Sequence, residues 1–282
     1  MAEWDVTGAN PTAAGAGQVN LVGYPSYAVK LARALEHLGA LYSAAQLFAE
    51  SNPFTFGFHK DAKTGEHVAK VALRGQPPTT IGVLAADCIH NLRQALDHLT
   101  YQLAIVISGS DPPPNEDTAM FPVYTEIRKG QQVVLDDDRL RRKLGDPNKV
   151  PGDMRAILEK LQPHYGGDTL RLAALQDLEN IAKHRELPVC VGAILPGFAA
   201  LDGVTFRSVN QGKLAIGETE IARFMVTKPK VKMEGQIRIE VMLDPSLPGS
   251  GQPLTQWLHE TRDYVLKRVV GPLQPFLYRP SP

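Results

Sequence analysis

Residues 87–103 read "DCIHNLRQALDHLTYQL". On a helix of about 3.6 residues per turn, Cys88, Leu92, Ala95, Leu96, Leu99 and Leu103 gather on one side. Asp87, His90, Asn91, Arg93, Gln94, Asp97, His98 and Tyr101 gather on the other. So clean a separation predicts an amphipathic helix laid on a core. The polar side contains no Lys or Glu, the residues that usually cover a solvated helix face. Shorter groups that make directional hydrogen bonds stand there instead, which predicts a partly buried polar network.

Working outward, "YPSYAVKLARALEHLGALYSAAQLFAES" repeats apolar residues at helical spacing, with Leu31, Leu35, Leu38, Leu41 and Leu47 as the expected face. "PFTFGFHKDAKTGEHVAKVAL" switches to a two-residue period around Thr64-Gly65 and predicts a β-hairpin near 54–73. Thr80 is a candidate N-cap for the long helix. Beyond the loop "SGSDPPPNEDT", "VVLDDDRLRRKLGD" predicts a short helix with acids first and bases last, matching the helix dipole. Its "RLRRK" (139–143) is read as a solvated face. "MRAILEKLQPHYGG" predicts a helix broken at Pro163, and "DTLRLAALQDLENIAKHREL" a further one running to about His184.

From Leu187 the segments "LPVCVGAIL", "GVTFRSV", "KLAIGE", "EIARFMV" and "IRIEVML" are short and rich in β-branched residues, so they predict an antiparallel sheet that the earlier hairpin can join. "LTQWLHETRDYVLKRVVGPLQPFL" predicts a closing helix. The fold class is therefore α+β: a helical bundle, an antiparallel β-sheet in the C-terminal third and a C-terminal helix. Residues 1–20 read as a flexible leader, 21–186 as the mainly helical bundle with its hairpin, and 187–282 as strands and closing helix packed with the bundle as one unit.

Thirty basic residues balance thirty acidic ones, so no global field draws the chain to nucleic acid or an anionic membrane. No run approaches the roughly 20 apolar residues of a membrane span. Cys88 and Cys190, both in apolar patterns, read as free buried thiols, which suits a reducing cytoplasm and no membrane partner. There is no G-x-S-x-G elbow, P-loop or dinucleotide glycine fingerprint.

Arg93 and His98 spell R-x4-H within this helix. The pattern resembles the HEPN superfamily, whose signature is an Arg, usually a following polar residue, and a His after a short gap. The resemblance implies metal-independent RNA cleavage or nucleotide-phosphate handling without a cofactor, in a site assembled across a homodimer. It makes His98 the acid/base and Arg93 the phosphate binder, with Asp97 and Asn91 orienting them. That chemistry is coherent: histidine titrates near neutrality, and arginine offers phosphate a bidentate fork. On one helix, however, positions i and i+5 diverge by well over a right angle. The "HNLRQALDH" and "NIAKHR" segments are also similar to a pair of segments in bacterial proteins of no assigned activity.

Two other readings stand beside this one. Asp87-x-x-His90 places two ligand-type side chains one turn apart, and Asp177 and His184 on the later helix could complete a metal or small-ligand site. Glu179 is a further candidate there. Alternatively the polar helix is a structural hydrogen-bond network, with Arg93–Asp97 as an i,i+4 pair, in a non-enzymatic protein. Trp257 and Phe276 read as core residues, with a partner-anchoring role as their alternative.

Overall fold

The long helix announced by residues 87–103 spans Thr79–Ser108 (α2). From Leu84 to its end, no residue is exposed. This answers the missing Lys and Glu: their long, hydrated side chains suit a fully solvated face, and every polar position here is at least partly covered. Cys88, Ile89, Leu92, Ala95, Leu96 and Leu99 are wholly buried. The charged side chains among them are paired: Asp87 lies 3.8 Å from His37, and Arg93 lies 2.8 Å from Asp97.

The computed structural model describes residues 25–124, 127–128, 131–132, 135–194, 203–227 and 238–278; the leader read at 1–20 lies outside them. The chain divides into two compact units interleaved along the sequence. Of the described residues, one comprises Gly39–Val83 and Leu187–Gln256; the other takes residues 25–38, Leu84–Glu186 and the chain from Trp257 onward. The division therefore does not fall at residue 187 alone. The hairpin goes with the later strands, and most of the closing helix goes with the helices.

In the helical unit, the first helix, Ser26–Glu50 (α1), begins. It buries Tyr27, Ala34, Leu38 and Leu41. That stripe is rotated from the expected one: Leu35 and Leu47 are 47% and 67% exposed. Steps of seven, four and three residues keep 27, 34, 38 and 41 in line, whereas Leu35 sits about 100° away from Ala34. Helix α3 (Asp137–Leu144) is capped by Asp136, whose side chain accepts from Arg139 N at 2.9 Å, and ends at Gly145 with φ +90°. Leu140 and Leu144 are buried and fix which way α3 turns its arginines. Helix α4 (Gly152–Lys160) is followed by a 3-10 turn at Pro163–Tyr165, where the proline break was expected. Helix α5 (Leu170–Ala182) buries Leu172, Leu175, Leu178 and Glu179. The closing segment runs α6 (Leu254–Tyr264), a π-helical stretch Val265–Val270, α7 (Gly271–Leu273) and a 3-10 end at Gln274–Tyr278, with Trp257 and Phe276 buried as core.

The strand-rich unit contains β1 (Phe54–Lys60) and β2 (His67–Leu73), the predicted hairpin, with Gly65 at φ +72° in its turn. A two-residue pair, β3 (Ile127–Arg128) and β4 (Gln131–Gln132), falls within the sequence of the helical unit. The later strands are β5 (Val189–Ile194), β6 (Val204–Val209), β7 (Gly212–Lys213), β8 (Gly217–Val226) and β9 (Arg238–Leu243). All pairings are antiparallel, in the orders β1-β2-β8-β6 and β7-β5-β9. Alternation places Ala69, Val71 and Leu73 of β2 in one core with Val191 and Ala193 of β5, and the register shift opposite Ala69/Lys70 lets β8 add both Ile221 and Phe224. Gly192 is required by close approach: a Cβ there would stand 2.1 Å from Met242 Sδ.

One titration is built into this unit. Asp244 accepts from Lys213 Nζ at 2.7 Å and from Ser246 N at 3.0 Å, which holds its carboxyl down at about 2. A carboxylate whose folded pKa is depressed contributes stability above its unfolded value of 3.8, and this is lost as pH falls through about 2. Asp244→Asn should therefore lower the melting temperature near neutrality and converge on the wild type in strong acid. Parallel melting curves across that window would exclude the pairing as a stabilising contact.

Candidate anion-binding cavity

Gln162 is wholly buried at the end of α4, and all its polar atoms are used. Its Nε2 donates to Leu158 O at 2.9 Å and Pro122 O at 3.2 Å, while Oε1 accepts from Tyr124 N at 3.2 Å. Three residues earlier in that same segment, α2 takes hold. Phe121 N donates to Asp97 Oδ1 at 2.9 Å, and Phe121 O accepts from Arg93 Nη2 at 3.1 Å. The segment around 121–124 is thus clipped to two helices by side chains satisfying its backbone, as buried peptide groups require.

This clip forms one wall of a cavity of about 440 Å³ in the helical unit. Arg93 and Asp97 come from α2, Arg139, Arg142 and Lys143 from α3, and Gln176, Glu179, Asn180 and Lys183 from α5 and its end. Met120, Phe121, Val123 and Tyr124 add an apolar side, with Arg139 5.2 Å above the Tyr124 ring. Five cationic side chains, Arg93, Arg139, Arg142, Lys143 and Lys183, face two carboxylates, Asp97 and Glu179.

Burial shapes the electrostatics. Arg93 is 8% exposed, and desolvation holds its pKa below the usual arginine value against the pull of Asp97 and Glu179. Its Nη1 is close to Asp97 but meets no acceptor with hydrogen-bond geometry, so one buried donor is left unsatisfied beside the cavity. Burial also raises the Asp97 carboxyl. Lys143 is pushed down first by burial and then by Arg93. Glu179 is nearly buried and joins His90 Nδ1 at 2.9 Å and Lys183 Nζ at 3.2 Å.

Of the residues expected at a site, Arg93 and Asp97 are brought together here. His98 is not in the cavity wall. It is half-buried, and desolvation followed by the Lys30 ammonium of α1 lowers its pKa. Asn91 donates from Nδ2 to Asp87 O at 2.8 Å, a bond within its own helix. The set Asp87, His90, Asp177 and His184 is not assembled: Asp87 faces His37, His90 is bonded to Glu179, and Asp177 and His184 are exposed. Among the described residues, no three His, Cys, Asp or Glu side chains gather closely enough to hold a metal ion. Cys88 is pushed up to about 12 by burial, which leaves it an inert thiol.

A second cavity, about 260 Å³, lies along α5 and the closing helix, but its charges cancel locally. Arg171 pairs with Glu260 at 2.7 Å and Lys267 with Asp263 at 2.6 Å.

No family model, curated protein or solved structure matches the chain. The cavity's own chemistry is therefore what bears on function. One of its parts was missed in the sequence, and another was weighed there only as a further ligand candidate. The "RLRRK" run is not simply a solvated face, because Arg139, Arg142 and Lys143 share the cavity side at i, i+3 and i+4. The counterpart on α5 is Glu179 rather than Asp177: the buried stripe runs 172, 175, 179, whereas Leu170 is exposed. Including the charged position in the buried stripe is what would have ranked Glu179 above Asp177. Nothing in the sequence alone shows that α3 turns its basic side toward α2.

Proposed function

We propose that the helical unit binds a small phosphate-bearing ligand of the nucleotide class in this cavity. The observation that carries this reading is the excess of cations over carboxylates around a cavity that also has an apolar side. Guanidinium and ammonium groups supply the charge-assisted bonds that phosphate oxygens accept. Tyr124, Met120 and Val123 offer the surface that a base or other planar group would cover. A volume of about 440 Å³ falls within the range of small-ligand sites. Arg93 keeps the phosphate-facing role that the HEPN resemblance implies, while His98 stands outside the cavity. A ribonuclease of that kind would need His98 from a second copy to reach the bound phosphate.

Titration calorimetry with adenosine monophosphate tests the reading. Saturation at one site per chain is expected, with affinity falling about tenfold in Lys143→Gln and unchanged in Lys63→Gln, which removes an exposed charge in the hairpin turn. Absence of binding at millimolar nucleotide would overturn it. Cleavage of an RNA pool in excess EDTA that disappears in His98→Ala would instead favour the dimeric nuclease.

A further inference from the structure

The charges in the cavity are not equally free. Arg93 is paired with Asp97, Lys183 with Glu179, and Arg139 with its helix cap Asp136. Arg142 and Lys143 have no ion-pair partner among the described residues, and they are adjacent on α3. Resting on the reading that the cavity binds phosphate, we infer that it selects a phosphomonoester dianion, a terminal phosphate, over a phosphodiester. Two cations without ion-pair partners are matched by a group with two negative charges, and a monoanion leaves one of them unmatched beside the buried Arg93. A terminal phosphate also exposes three oxygens able to accept bonds, whereas the internal phosphate of a polymer has two. Arg142 and Lys143 can each engage one of these oxygens, and the third remains open to the other cations of the wall. A cavity walled by α2, α3, α5 and the 120–124 segment favours the end of a chain or a free nucleotide over a continuous strand.

The test separates charge from shape. Methyl phosphate, dimethyl phosphate and methyl sulfate are titrated into the 282-residue chain by calorimetry at about pH 8, where the monoester is a dianion because its second pKa is about 6. Methyl sulfate has nearly the shape of methyl phosphate but one charge fewer. Methyl phosphate is expected to bind at least about tenfold more tightly than either monoanion, a difference of about 1.4 kcal/mol. That preference is expected to collapse in Lys143→Gln. Equal binding of all three would overturn the dianion inference while leaving an anion site in place. A preference that survives intact in Lys143→Gln would overturn the assignment to α3. Binding of none of them, with adenosine monophosphate also silent, would remove the underlying reading as well.

Discussion

Arg93→Met is expected to destabilise the protein by about 3–5 kcal/mol, the range found when one member of a buried ion pair is removed. The substitution keeps most of the volume, so a cavity is not the cause. It leaves the Asp97 carboxylate, already raised by burial, without its guanidinium. It also leaves Phe121 O without the donor that reaches it at 3.1 Å. Both losses act on the 121–124 segment, which should then be held by Gln162 and by the single bond from Phe121 N to Asp97. Arg93→Lys should fall between the two proteins, because an ammonium restores charge but not the fork that touches carboxylate and carbonyl together. Urea denaturation followed by circular dichroism measures the series. An Arg93→Met protein within 1 kcal/mol of wild type would show that the clip carries no stability.

The central helix was legible because burial leaves a compositional mark. Residues 84–108 contain no Lys or Glu, and the structure leaves none of them exposed. The hairpin was legible from its two-residue period and the glycine in its turn, and it pairs with β8. Helix faces were less so: Leu35 and Leu47 fit an apolar stripe on α1 nearly as well as the residues that are buried. The site was legible only in half. Arg93 and Asp97 stand on one helix at i,i+4, a local relation that sequence contains. The relation of Arg93 to Arg142 and Lys143 spans some fifty residues and depends on how Leu140 and Leu144 seat α3, which no local pattern records. His98 shows the converse error. It lies close to Arg93 in sequence, but five residues along a helix turn it toward Lys30.

The double variant Arg142→Gln, Lys143→Met separates the needs of binding from those of stability. Nucleotide affinity is expected to fall about 100-fold, since two charge-assisted contacts of roughly 1.5 kcal/mol each disappear. Stability is expected to rise, by about 0.5–1 kcal/mol, because uncompensated cations crowded for ligand binding burden the empty protein. The sign follows from Lys143, whose pKa is lowered from 10.5 by burial and by Arg93. Between its folded pKa and 10.5 the unfolded chain binds more protons than the folded one, so wild-type stability must rise with pH across that window. The double variant lacks this group and should lose that rise, so its advantage narrows as the solution becomes alkaline. Unfolding measured against pH, beside nucleotide titrations of the same samples, reads both effects. A variant that loses affinity and stability together would mean that α3 holds its cations for packing rather than for a ligand.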